Sequence, residues 1–296
     1  MKGDLFSLSS SMSEIAKCLR KNFYLWGYEE IFLPTIERYD EELDKGLKFS
    51  YNDKFHLIEP DPTSQILKYL DDEESLRLFY ISEVLDGSVE GNWQSGLELI
   101  GGRDLWMQVE ILNVVISSLD KLGIEEFYVD IGSLRVWEDA IQDIREYRDE
   151  VYTALEKRNF EMIEYLPLEE GKKERLWELF NFRGVSCDYE KLNTIAQTLD
   201  DDRVSIDFGT VRPLPYYEDL IFEVYSPELG YPIGAGGEYR SDGKRACGFA
   251  FDLGAILELY DGEVGDYRES IDKDLEESYR LAKKKIEEDR PIEVEQ

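Results

Sequence analysis

The sequence predicts an α+β fold: a mostly antiparallel sheet flanked by helices, with a helical insertion at about 135–200. Amphipathic helical patterns open the chain and recur near 104–120. Short apolar runs of strand character fill 54–101 and return from Arg203. The stretch between those strand blocks is charged and helix-biased. Strands gathered in blocks, not alternating one for one with helices, argue against a parallel βαβ architecture.

Residues 11–26 read as the first helix, with Ser11-x-x-Glu14 as a capping box and Ile15, Leu19, Phe23 and Trp26 at helical spacing. Gly27 should stop it, and Pro34 breaks the segment beyond. Strands are predicted at Lys54–Ile58, Leu76–Val84 and Leu97–Gly101. The helix over 104–120 carries the stripe Leu105, Val109, Leu112, Ile116 and Leu119, and FYVDIG (127–132) comes next as a buried strand. Within 135–200, Ile141, Ile144, Val151 and Leu155 are core candidates, and Pro167 and Gly171 are breaks. VSIDF and LIFEVY read as strands. The glycines of YPIGAGGEYRSDGK suggest a tight hairpin or a close backbone approach to a small ligand. ACGFAFDLG leads into another helix. Residues 268–289 read as a charged helix with an apolar stripe of Ile271, Leu275, Tyr279, Ala282 and Ile286. The expected organisation is one domain over 1–267 and a charged helix with its tail over 268–296.

The 296 residues carry 34 Lys+Arg against 66 Asp+Glu, a formal net charge of −32. Binding nucleic acid or an anionic membrane needs a basic surface, so neither is an expected partner. With one histidine, His56, neither a hydrolase triad nor a His-rich metal site is expected. Cys18, Cys187 and Cys247 lie far apart, match no metal spacing and suggest a reducing compartment. No apolar run reaches the ~18–20 residues that span a bilayer, and the N-terminus lacks a signal-peptide core. A cytoplasmic protein without a metal or cofactor is the expectation.

Several polar residues stand out in apolar surroundings. Asp61 and Thr63 come after the FHLI strand, and Gln94 and Glu98 flank an apolar run. Arg212 precedes Tyr216 and Tyr217, which lead into another strand. Side chains at i and i+4 of a strand share a face, so an extended 94–98 segment projects Gln94 and Glu98 together. Carboxylates, an amide, an arginine and tyrosines suit a small zwitterion. Each residue also has a plainer reading: Asp61 before Pro62 forms turns, Glu98 could face solvent, and tyrosine pairs pack in cores.

Taken together, five segments resemble the class II aminoacyl-tRNA synthetase core, specifically its histidyl-tRNA synthetase branch. NFYLWGYEEIFLPTIE (22–37) is similar to the first class II motif, at the family's dimer interface, and LRLFYISEVLDG through QSGLELIGG (76–102) to the second. VRPLPYYEDLIFEVY (211–225) and GAGGEYRSDG (234–243) resemble the two histidine-specific motifs, and GFAFDLGAILELY (248–260) stands where the third motif belongs. The resemblance implies that Asp61 and Thr63 contact an amino group, Gln94, Glu98 and Tyr217 surround an imidazole, and Arg212, Tyr216 and Tyr239 complete a histidine pocket.

The departures fall on the phosphate side. The family's second motif carries an arginine where this chain reads Val84-Leu85-Asp86, and its third motif ends Gly-Leu-Glu-Arg where this chain reads Asp252-Leu253-Gly254-Ala255. Glu59 also replaces a usual arginine. Each such positive charge supplies a few kcal/mol of transition-state stabilisation, so amino-acid activation is not expected. The length leaves no room for the family's anticodon-binding domain. A retained amino-acid pocket beside lost phosphate chemistry resembles the regulatory subunits of ATP phosphoribosyltransferase. That likeness implies no catalytic residues, a short-form catalytic subunit as partner, a homodimer within a larger hetero-oligomer, and histidine as feedback effector, bound in the pocket or at the subunit interface. A histidine-activating ligase without tRNA and an inactive class II interaction module are the alternatives.

Overall fold

The computed structural model describes residues 5–39, 47–58, 61–69, 75–85, 91–210, 217–241, 243–262, 269–271, 281, 284–285 and 292–294. Its first element, α1 (Leu5–Leu25), begins ahead of the expected start, so Ser11 lies inside the helix and caps nothing. Leu5, Leu8 and Met12 extend the stripe of Ile15 and Leu19 toward the N-terminus with no Gly or Pro to interrupt it. Glu14 instead accepts from Lys17 Nζ at 2.7 Å. Ile15, Leu19 and Phe23 are fully buried, and Gly27 ends the run at φ +82°.

A short strand β1 (Glu29–Glu30) leads to β2 (Ile36–Arg38), β3 (Leu47–Tyr51) and β4 (Lys54–Ile58). β2, β4 and β3 form a three-stranded antiparallel sheet in that order. Asn52 and Asp53 turn the β3–β4 hairpin with φ of 51° and 59°, the left-handed pair that matches strand twist. Next come α2 (Pro62–Lys68), β5 (Leu76–Val84), β6 (Asn92–Ile100), α3 (Trp106–Leu122) and β7 (Tyr128–Ser133). β6 starts well before the expected Leu97, which puts Gln94 and Glu98 on one strand.

The 135–200 stretch holds α4 (Leu134–Ala140), α5 (Arg148–Glu156), α6 (Glu161–Glu164), α7 (Glu170–Phe180), the short β8 (Arg183–Gly184) and α8 (Glu190–Leu199). Ile141, Ile144, Val151 and Leu155 are buried in the main core. Gly171 breaks nothing: it lies in the first turn of α7, where nothing crowds it. The remaining elements are β9 (Val204–Asp207), β10 (Tyr217–Tyr225), β11 (Pro232–Ser241), β12 (Lys244–Asp252) and α9 (Leu253–Leu259).

Nine strands form the main sheet in the order β1-β5-β6-β12-β11-β10-β7-β9-β8. Only β1–β5 and β7–β9 pair in parallel; the other neighbours are antiparallel. The helices α1 and α3 pack on each other, and α3 packs on β12. They bury Met107, Ile111, Leu112, Val115 and Leu119 with Leu97, Leu99, Phe249 and Phe251 of the sheet. The opposite face of these strands is left for the site.

The glycine-rich segment is not a turn. Gly234, Gly236 and Gly237 lie within β11, and the hairpin turns at Gly243, φ +79°. Backbone and rings crowd these positions: a Cβ on Gly236 would stand 2.3 Å from the Gly248 carbonyl oxygen.

Residues 1–260 and 261–296 form separate compact units. In the second, β13 (Glu269–Ile271) pairs in parallel with β14 (Ile292–Val294). The expected helix therefore does not begin at 268, because 269–271 give their backbone groups to a ladder; residues 281, 284 and 285 are helical. Leu275, Tyr279, Ala282 and Ile286 of its stripe lie outside the described residues. Among the described residues no helix is long and apolar enough to cross a membrane.

Candidate functional site

The sheet face away from α1 and α3 has a floor of the smallest residues, glycine and alanine, and a rim of large polar ones. Register explains it. Across β5, β6 and β12, Tyr80 stands opposite Gly96 and Gly96 opposite Ala250, while Glu98 stands opposite Gly248. On β11, Ala235 and Gly237 continue the same row of small residues. A row of glycine and alanine flanked by Tyr80, Gln94, Glu98, Tyr217 and Tyr239 leaves a cavity of ≈ 290 Å³. Its wall also includes Asp61 and Thr63, brought in by α2.

Six of the eight sequence-predicted residues thus surround one cavity: Asp61, Thr63, Gln94, Glu98, Tyr217 and Tyr239. Arg212 and Tyr216, like Glu59 and Asp86, lie outside the described residues. Tyr80 is a lining residue that sequence reasoning missed. Its signal was Gly96, which lets the Tyr80 ring lie across the strand: a Cβ there would stand 2.2 Å from the ring.

Glu98 is the centre of the arrangement and is 2% exposed. Thr63 donates to its Oε1 at 2.6 Å and Tyr239 to its Oε2 at 2.6 Å. Burial pushes the Glu98 carboxyl up to about 7 against the pull of those two donors, and the nearby Asp61 charge adds to the rise. Burial and the Glu98 charge drive the Tyr239 phenol well above its ordinary value. A carboxyl group poised near neutrality, with donors on both oxygens, can accept from an imidazole N–H or donate to its bare nitrogen.

Asp61 caps α2, its Oδ2 accepting from Ser64 N at 3.2 Å and Ser64 Oγ at 2.8 Å. Asp61 therefore starts the helix that carries Thr63 and also stands on the cavity wall. At the other end of the cavity, Asp252 caps α9, accepting from Gly254 N at 2.8 Å and Ala255 N at 3.1 Å. Its second oxygen accepts from Asn92 Nδ2 at 2.8 Å. Ala255 and Val84 are both buried.

Behind the floor, Lys191 clamps the strands that carry the site. Its Nζ donates to Asp219 Oδ2 at 2.8 Å on β10 and to Glu238 Oε2 at 2.7 Å on β11. Glu238 neighbours Tyr239 and points to the opposite face. Those two carboxylates hold the Lys191 ammonium above its ordinary range despite burial. His56 sits apart from the cavity, stacked on Phe49 with ring centroids 5.4 Å apart.

A sequence profile described as histidyl-tRNA synthetase matches residues 7–256. The histidine–tRNA ligase of Methanocaldococcus jannaschii is 27% identical over 289 residues, covering 81% of this chain and 69% of the ligase. The ATP phosphoribosyltransferase regulatory subunit of Bacillus licheniformis is 27% identical over 324 residues, covering 92% of this chain and 82% of the relative. Among solved structures, a chain of the ATP phosphoribosyl transferase (HisG:HisZ) complex from Thermotoga maritima superposes with a TM-score of 0.71 at 21% identity, covering 85% of this chain and 98% of that one.

Proposed function

The chain belongs to the histidyl-tRNA synthetase family, and from that premise we propose that it is a non-catalytic, histidine-sensing regulatory subunit of ATP phosphoribosyltransferase. One observation carries the reading: Thr63 and Tyr239 both donate to the buried Glu98 in a cavity suited to a small zwitterion, while the wall where activation would place phosphates in this reading carries a capping aspartate, Asp252. A carboxylate there repels the phosphates that an activating enzyme must hold. The similarity to the B. licheniformis regulatory subunit over most of both chains supports the same assignment.

In this reading the chain performs no chemistry. Histidine binds one quaternary state more tightly than another, and the catalytic subunit alters histidine affinity in return. A homodimer through 22–37 is part of the proposal, supported by exposed apolar residues there, among them Leu25, Phe32 and Ile36. The rival reading as a ligase has the M. jannaschii relative in its favour. Histidine-dependent pyrophosphate exchange separates the two: the regulatory reading predicts none.

The direct test is co-purification with a short-form catalytic subunit and assay of phosphoribosyl transfer with and without histidine. The complex should be more active than the catalytic subunit alone, and histidine should inhibit it. Glu98→Ala and Tyr217→Phe should weaken that inhibition. Unchanged inhibition in both variants would move the effector to the subunit interface, and failure to associate would remove the regulatory role.

A further inference from the structure

A second cavity, of ≈ 510 Å³, opens beside the first, with Pro232 on the wall of both. It lies on the same face of the sheet, because Ala235 stands opposite Glu223, Glu223 opposite Asp130, and Asp130 beside Ser205. Its floor is acidic and buried: Asp130 is 4% and Glu223 2% exposed. Like charges directly opposite each other destabilise a sheet, so this pair needs compensation.

Two arginines at the rim provide it. Arg158 Nη2 pairs with Glu223. Arg183 Nη2 pairs with Asp130 at 2.9 Å, and Arg183 also reaches the Tyr225 hydroxyl. Ser205 Oγ completes the floor, donating to Asp130 at 2.7 Å.

Asp207 is a third carboxylate on the wall, 3.6 Å from Arg183 Nη1, and two features of the arginines bear on what the cavity can hold. Arg158 comes just after the last turn of α5 at φ +48°, a left-handed position usually given to glycine or asparagine. An arginine there adopts a backbone conformation that favours glycine. In addition, the Arg158 and Arg183 side chains are 54% and 48% exposed while both line the cavity. Each guanidinium has five N–H donors; Arg158 spends one on Glu223, and Arg183, which contacts Asp130, Tyr225 and Asp207, keeps fewer to spare. The two floor carboxylates thus lie beneath half-exposed guanidinium groups, with Asp207 beside Arg183.

We infer that this second cavity is a ligand site of its own, taking a small oxyanion, a phosphoryl or carboxylate group, between Arg158 and Arg183, with Tyr225 and Tyr231 walling the rest of the molecule. Arginine forks match such groups with paired, charge-assisted hydrogen bonds. The net charge of −32 does not oppose this, because repulsion from exposed charges beyond about 8 Å is screened at physiological ionic strength. The inference stands apart from the histidine reading, since it uses none of that pocket's polar residues.

Calorimetric titration of the full chain with inorganic phosphate, and separately with acetate, tests it. Saturable binding of phosphate alone identifies a phosphoryl ligand, and of acetate a carboxylate. Arg158→Gly combined with Glu223→Gln leaves no buried carboxylate unpaired and suits the left-handed backbone. It should weaken binding about tenfold or more, as loss of a charge-assisted hydrogen bond does. Arg158→Lys, which keeps the charge and loses the fork, should also weaken it, whereas Glu98→Gln should not. If neither anion binds saturably, or if both Arg158 variants bind as the wild type does, the inference is overturned.

Discussion

The Tyr239 hydroxyl reaches Glu98 Oε2 at 2.6 Å across the intervening strand β12, and the space for that bond exists because residue 248 has no side chain. A Cβ on Gly248 would stand 2.1 Å from the same Glu98 oxygen. The pocket is thus defined as much by missing side chains as by the polar groups on its rim.

Gly248→Ala should therefore displace Glu98 and break its bonds to Tyr239 and Thr63. Leaving a buried carboxyl poorly satisfied costs about 1–3 kcal/mol, and the same displacement should abolish histidine binding. Denaturant unfolding and calorimetry read the two effects.

Glu98 also sets a pH dependence. Its folded value of about 7 lies above its ordinary 4.5. The folded chain therefore holds this proton more tightly than the unfolded one. The associated stability is complete below the ordinary value and is lost as pH rises through about 7. Unfolding of wild type against Glu98→Gln, which does not titrate, should show the wild type losing about 2–3 kcal/mol relative to the variant between about pH 5 and 8. A flat difference would contradict a buried Glu98.

Much of this site is legible in the sequence because strands impose a two-residue period. Gln94 and Glu98 fall on one face once 94–98 is extended, and Lys54–Ile58 and Leu76–Val84 match their strands. Position-specific backbone chemistry is less legible. Ser11 resembles a cap because its motif is local, whereas the apolar stripe continues upstream to Leu5. The β11 glycines resemble a turn because their tight neighbours, the Gly248 carbonyl and the Phe222 ring, are remote in sequence. Tyr80 escapes notice for the same reason: its partner Gly96 lies on the next strand. The left-handed Asn52-Asp53 pair is a readable hairpin signal that composition alone obscures.

Asp252 has a structural duty at the start of α9. Asp252→Ala removes the cap of α9 and its bond to Asn92, and should cost about 1–2 kcal/mol of stability. A denaturation midpoint unchanged from wild type would show that the helix start does not depend on this carboxylate.

Lys191 is the cation that Asp219 and Glu238 share behind the pocket floor. Lys191→Met leaves Asp219 with its Ser133 and Tyr189 donors and Glu238 with Gln108 but removes their shared cation, and should destabilise by about 3–5 kcal/mol, the usual range for breaking a buried ion pair. Lys191→Met with Asp219→Asn and Glu238→Gln should recover much of that loss. Thermal or denaturant unfolding of the two variants measures the difference.

A histidine-sensing role for the Glu98 pocket is tested most directly by calorimetric titration of histidine into the isolated chain and into its complex with the catalytic subunit. Saturable binding is expected, differing in affinity between the two and lost in Glu98→Ala. Absence of binding to both, or binding indifferent to Glu98→Ala, would contradict the sensor role.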